Sequence, residues 1–81
     1  MNDETIYSEL TDIFHEVFDD ETLVLKPQMK AADVKGWDSF KQVEILIAVQ
    51  ERFALKLRSR EIDGLGCVGD LVDVIRRNQA S

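Results

Sequence analysis

The run Gly36-Trp37-Asp38-Ser39-Phe40-Lys41-Gln42-Val43-Glu44-Ile45-Leu46-Ile47-Ala48-Val49-Gln50-Glu51-Arg52-Phe53 decides how this chain folds. From Phe40 to Phe53 neither glycine nor proline interrupts an apolar-rich segment, which predicts a helix. Asp38 is placed to cap it, and Ser39 with Gln42 also has capping-box spacing, so the helix starts at one of these two residues. The apolar set Phe40, Val43, Ile45, Leu46, Ile47, Val49 and Phe53 is wider than one stripe. Such a helix is central to a bundle or offers part of its apolar surface to something outside. One line along it, Phe40, Glu44, Ile47 and Glu51, is mixed in character and suits a docking surface.

On the N-terminal side, Ile6, Leu10, Ile13, Phe14 and Val17 recur at helical spacing, with Asn2 or Asp3 available as cap and acids in the first turn. Residues 19–37 carry Leu23, Leu25, Met29 and Val34 without a period and hold the only proline, Pro27. They read as a long ordered loop whose isolated apolar side chains tuck onto a core, and loops of that length are more often functional than not. On the C-terminal side, Leu55-Lys56-Leu57-Arg58 alternates like a short extended connection. Ser59 is placed to cap a brief helical turn through Ile62, which Gly64 and Gly66 then interrupt. Val68, Leu71, Val72 and Ile75 give a last helix ending in Arg76 and Arg77, basic residues that suit the negative end of a helix dipole. The expectation is an all-α, four-helix bundle with three longer helices, a short third helix and a long loop between the first two.

Eighty-one residues make one domain, residues 1–81, and a chain this short buries only about 60% of the surface its unfolded form exposes. Apolar residues at 44% and charged residues at 32% fit a folded, water-soluble chain. No apolar run reaches the roughly 18 residues a membrane span requires, and Met1-Asn2-Asp3-Glu4 lacks the features of a secretory signal, so a cytoplasmic protein is expected. The net charge of −6 argues against nucleic acid as a partner. The first 21 residues hold eight of the 16 acids and none of the ten bases, so the remainder is net basic and the first helix presents acids to solvent or to basic partners. Cys67 is alone, which rules out an intrachain disulfide, and with no histidine cluster it builds no metal site; it reads as a buried or half-buried inert thiol.

The inventory does not favour a self-sufficient enzyme. The only histidine, His15, sits among acids on the polar side of the first helix and reads as a solvated surface residue, with no serine or cysteine at a spacing that would place it beside the ring. Phosphate-cradling glycine loops and calcium-loop spacings are absent. Ser39 remains, where the long loop meets a helix start. There the backbone N–H groups are unpaired and the dipole is positive, so a phosphate on the serine oxygen would be stabilised. A plain helix-start serine is the alternative that position alone leaves open.

The run Gly36-Trp37-Asp38-Ser39-Phe40, followed by Val43-Glu44-Ile45 and later by Val68-Gly69-Asp70-Leu71-Val72-Asp73-Val74-Ile75, resembles the acyl carrier and peptidyl carrier proteins, free-standing carriers most of all. The resemblance covers nearly the whole chain. It implies a non-catalytic carrier whose Ser39 accepts 4'-phosphopantetheine from coenzyme A through a magnesium-dependent phosphopantetheinyl transferase, and holds an acyl or aminoacyl cargo as a thioester on that arm. Asp38 would help orient the site and meet the transferase, while Phe40, Glu44, Ile47 and Glu51 would meet partner enzymes: an acyl- or aminoacyl-loading ligase and the enzymes that use the cargo. Trp37 would pack the loop onto the second helix. A monomer suits a protein that visits several enzymes in turn. Lys41 and Gln50 stand where carriers of fatty-acid synthesis often have acids, and Arg52, Lys56, Arg58 and Arg60 form a basic group beyond the helix, a pattern that implies a specialised biosynthetic pathway. Cys67 stands where carriers often have a capping threonine, which implies a last helix with a start weaker by about 1 kcal/mol. A cofactor-free interaction module that uses the second helix is the rival from another class, and a hydrolase using Ser39 has no histidine to assign to it.

Overall fold

Four helices succeed one another as the periodicities predict: α1 (Asp3–Phe18), α2 (Ser39–Arg52), α3 (Ser59–Asp63) and α4 (Val68–Ala80), with one turn of 3₁₀ helix at Ala31–Asp33 inside the long loop. The computed structural model describes residues 2–80; Met1 and Ser81, the outer limits of the expected domain, lie outside the described residues. There is no strand among the described residues.

Each helix owes its limits to identifiable residues. Asn2 caps α1, its Oδ1 accepting the Thr5 N–H at 2.9 Å, and Asp3 and Glu4 favour the positive end of the dipole. The helix stops where Asp19 turns to φ 50°, a left-handed conformation that Asp tolerates, and the Asp20 N–H closes onto the His15 carbonyl. Between the two caps the sequence offers for α2, the fold uses Asp38: its Oδ1 accepts the Lys41 N–H at 2.9 Å. The Ser39–Gln42 box does not form, because Ser39 is the first helical residue and Gln42 Oε1 accepts the indole N–H of Trp37 at 2.7 Å instead. At its far end, Ala54 adopts φ 53° and the Leu55 N–H donates to the Gln50 carbonyl, a Schellman closure with alanine where glycine is usual.

Two expectations about helix limits are corrected. Ser59 lies inside α3 and Arg58 takes the cap position, because Glu61 Oε1 reaches back to accept the Arg58 N–H at 3.1 Å. Helix α4 does not end at Arg76 and Arg77 but runs on to Ala80, since neither glycine nor proline comes after them to stop it. Arg76 instead forks to Asp3 on α1 and to Asp73 on its own helix.

The buried core joins three helices. Ile6, Leu10, Ile13 and Phe14 of α1 meet Ile45, Leu46, Val49 and Phe53 of the α2 segment and Val68, Leu71, Val72 and Ile75 of α4. The wide apolar set of α2 is thereby divided, because Phe40, Val43 and Ile47 remain exposed. Burial of this set supplies the main stabilisation, on the order of 1.5–3 kcal/mol for each fully buried large apolar side chain before the opposing chain entropy is counted.

The long loop is fastened at several points along its length. Leu23, Leu25 and Met29 pack half-buried or at the margin of the core and Val34 is buried, as the isolated apolar residues predicted. Trp37 stands edge-on to Phe14 with ring centroids 5.2 Å apart and to Phe18 at 6.0 Å, the packing role expected of it. His15 is not the freely solvated residue its acidic neighbours suggested: half-buried, its Nε2 lies 2.8 Å from the Leu23 carbonyl and ties the loop to α1. The loop in turn caps α4. The Val68 N–H donates to the Met29 carbonyl and the Gly69 N–H to the Pro27 carbonyl, both at 2.8 Å. A side chain at Gly69 would place its Cβ 3.0 Å from the Pro27 oxygen, so glycine permits this approach. Asp70 Oδ2 also accepts the Gly66 N–H at 2.9 Å, so at the start of α4, where Cys67 offers no hydroxyl, loop carbonyls engage two of the first N–H groups.

Candidate functional site

Ser39 is exposed at the first residue of α2, directly after the Asp38 cap. The N–H groups of the first helical turn have no acceptor one turn earlier in the chain, and Asp38 Oδ1 occupies only that of Lys41. An anionic group on the Ser39 oxygen would therefore meet unfilled donors and the positive end of a 14-residue helix. His15, the one histidine of the sequence, is held on α1 by the Leu23 carbonyl of the loop, and the residue before Ser39 is the carboxylate Asp38.

A cleft of about 610 Å³ opens beside it. Ser39, Asp38, Gln42 and Cys67 lie among its lining residues, together with apolar side chains that include Val43 and Leu46 from α2, Ile62 and Leu65 from the α3 side and Leu71 from α4. Sequence periodicity did not reveal this space, because α3 and the residues after it lie 20 or more positions from Ser39; the signal that was available is the isolated pair Ile62 and Leu65 in a short, glycine-flanked element. Cys67 is half-buried and free, as expected.

The exposed face of α2 differs in detail from the one read off the sequence. Phe40 and Ile47 are exposed by 70% and 51%, large values for such apolar side chains, and Glu51 is exposed too. Glu44 is half-buried, 3.7 Å from Lys41 Nζ. Val43, which the line Phe40, Glu44, Ile47, Glu51 left out, is 55% exposed and completes an apolar strip with Phe40 and Ile47. Its place three residues after Phe40 and four before Ile47 was the signal for it.

Charges around the site are also rearranged relative to the sequence reading. Lys41 Nζ donates to the Val17 carbonyl at 3.1 Å, so this unusual cation of the first turn closes the end of α1. Gln50 fastens the approach to α3, its Oε1 accepting the Leu57 N–H at 3.0 Å. Arg52 does not join the basic group; it crosses to α1 and binds Glu9 and Asp12. With Asp3 taken by Arg76, three acids of the acidic segment are in ion pairs among the described residues, while Glu16 and Glu21 stay exposed.

No family model matches the chain. Individual proteins do. Over 75 residues, covering 93% of this chain and 89% of the relative, it is 32% identical to an acyl carrier protein of Acidothermus cellulolyticus. Over 74 residues it is 30% identical to a meromycolate extension acyl carrier protein of Mycolicibacterium smegmatis, covering 91% of this chain and 75% of that one. The solution NMR structure of a holo acyl carrier protein from Geobacter metallireducens superposes with a TM-score of 0.86 at 32% identity, covering 91% of this chain and 85% of that one. The helix order, the exposed helix-start serine and the cleft beside it occur in a chain with these relatives, and it belongs to the acyl carrier protein family. Its role is that of an acyl carrier in biosynthesis.

Proposed function

We propose that Ser39 bears a 4'-phosphopantetheine arm, added from coenzyme A by a phosphopantetheinyl transferase, and that the protein delivers the acyl group held on it to partner enzymes of a specialised pathway. The observation that carries this reading is the exposed Ser39 hydroxyl at the tip of α2, where the cleft opens. The residues present fit such a group: the free N–H donors of the first turn suit its phosphate, and the apolar walls from α2, α3 and α4 suit the less polar portion beyond the phosphate. When bound, the arm supplies the terminal thiol on which an acyl group is held as a thioester.

The chain's own residues have supporting roles in this reading. Asp38 holds the first turn in place through the Lys41 N–H and faces the transferase as part of its target. Phe40, Glu44, Ile47 and Glu51, with Val43 added, form the surface on which the loading ligase and the cargo-using enzymes dock. Trp37, pinned by Phe14, Phe18 and Gln42, fixes the loop that leads into Ser39, so that the attachment point does not wander. A monomer keeps that face free for each enzyme in turn.

Incubation with coenzyme A, magnesium and a broad-specificity transferase is expected to add one phosphopantetheine mass to the intact protein, and Ser39→Ala to gain none. An unchanged wild-type mass, under conditions that modify a control carrier, would leave the interaction-module reading instead.

A further inference from the structure

The surface around the exposed strip is electrically lopsided. Helical geometry puts Glu44 and Glu51 on the edge of the strip that turns toward Lys41, and Lys41 Nζ reaches the Val17 carbonyl, so this edge faces α1. The opposite edge faces α3: Leu46 and Val43 share the cleft wall with Ile62, and Gln50 Oε1 accepts the Leu57 N–H. The α3 side carries Lys56, Arg58 and Arg60, all exposed. Among the described residues none of these three cations is in an ion pair, whereas Arg52 and Arg76 are both engaged by acids. Of the acids near them, Glu61 accepts hydrogen bonds from the Arg58 N–H and the Asn78 side chain and lies near enough to Arg58 to offset part of its charge, and Asp63 is the exposed carboxylate of α3. Across one apolar strip the surface thus passes from acidic to basic.

We propose that this strip docks enzymes whose complementary surface is an apolar socket with basic side chains on one flank and acidic side chains on the other, the acidic flank lying over Arg58 and Arg60. The proposal rests on the carrier reading and adds the charge and orientation of the partner to it. An apolar strip alone has near-rotational freedom in a socket, and the two opposite flanks remove it: turning the carrier by half a turn about Ile47 sets like charges against each other on both sides. Such a mismatch disfavours the wrong docking and selects one orientation, the one that aims the Ser39 end at the partner's active site. Complementary charge at the rim acts mainly on the rate of encounter.

The test is carried out in the native cell, so that no partner needs to be named in advance. Wild type, Arg58→Glu/Arg60→Glu and Arg58→Lys/Arg60→Lys are expressed at equal level, and intact-mass spectrometry counts unmodified, arm-bearing and cargo-bearing protein. The double charge reversal is expected to cut the cargo-bearing share at least about tenfold while arm-bearing protein accumulates, and the lysine pair to load as wild type does. In a cell extract, raising salt until the Debye length falls from about 30 Å to below 10 Å should slow loading of wild type and leave the reversed variant unchanged. Equal loading of the reversed variant, or failure of the lysine pair, would overturn the proposal. So would a sedimenting dimer, or binding to phosphatidylglycerol vesicles, that the reversal abolishes, since the basic flank would then serve a second copy or a lipid surface. Wild type that never bears the arm would sink the carrier reading instead, so the two failures are distinguishable.

Discussion

The two connections that flank α2 are opposites. Residues 19–38 contain only one turn of 3₁₀ helix, yet His15, Val68 and Gly69 bind their backbone, Val34 is buried and Trp37 is gripped by two aromatic rings. Residues 54–67 contain a true helix, α3, yet none of them is buried, and side-chain fastenings at Leu57 and Glu61 join them to α2 and α4. Both connections lay half-buried apolar side chains on the core, and local stability is expected to track buried contacts and satisfied backbone groups rather than helical conformation. The division suits a carrier: the loop that leads into Ser39 is fastened to α1 and α4, while the wall of the cleft that includes Ile62 and Leu65 is expected to be displaced more easily.

Attacking the fastened side has the largest expected effects. Phe14→Ala removes a fully buried ring from under Trp37 and Phe18 and is expected to cost about 3–5 kcal/mol, seen as a large drop in the denaturation midpoint. Next comes Gly69→Ala, which drives a methyl against the Pro27 carbonyl and loosens two hydrogen bonds at the start of α4; a loss of about 1–3 kcal/mol is expected. The matching change on the other side, Gly64→Ala, meets nothing closer than 3.7 Å and should be neutral or stabilising by up to about 1 kcal/mol. Equal losses at Gly69 and Gly64 in urea titrations would erase the contrast between the two connections.

The weaker side has a pH signature. The carboxyl of Glu61 is held below its ordinary pKa, first by the Arg58 N–H and then by the Asn78 side chain. Its contribution is therefore present above the unfolded-state pKa and lost as pH falls through the depressed folded value. Amide exchange at residues 58–63, corrected for intrinsic rates, should accelerate on acidification below the ordinary carboxylate range, and Glu61→Gln should blunt that response. Smallest of all, Phe40→Ala or Ile47→Ala should move stability by no more than about 0.5 kcal/mol, since both side chains are mostly exposed, while impairing transfer to partner enzymes. A loss of about 2–5 kcal/mol in either would mean that the side chain is in the core.

How much could be read in advance depends on the range of the interactions. The helices were legible because their period is local, and so were Asp38 as cap and Ser39 at the head of α2, which depend on near neighbours. The carbonyl caps on α4 join Val68 and Gly69 to Met29 and Pro27, and Lys41 meets Val17; nothing near any of these residues announces the pairing. Local reading went astray for the same reason at His15, whose acidic neighbours said solvent while the returning loop supplied a carbonyl. Arg52 was likewise grouped with its basic neighbours in sequence, although its partners are 40 and 43 residues away.

The role of this chain turns on what the Ser39 oxygen bears in the cell. Protein taken from its own cells and cut with trypsin should yield residues 36–41 carrying phosphopantetheine, with part of the population extended by the mass of an acyl group. The same peptide recovered wholly unmodified, from cells in which other carriers bear their arms, would contradict it.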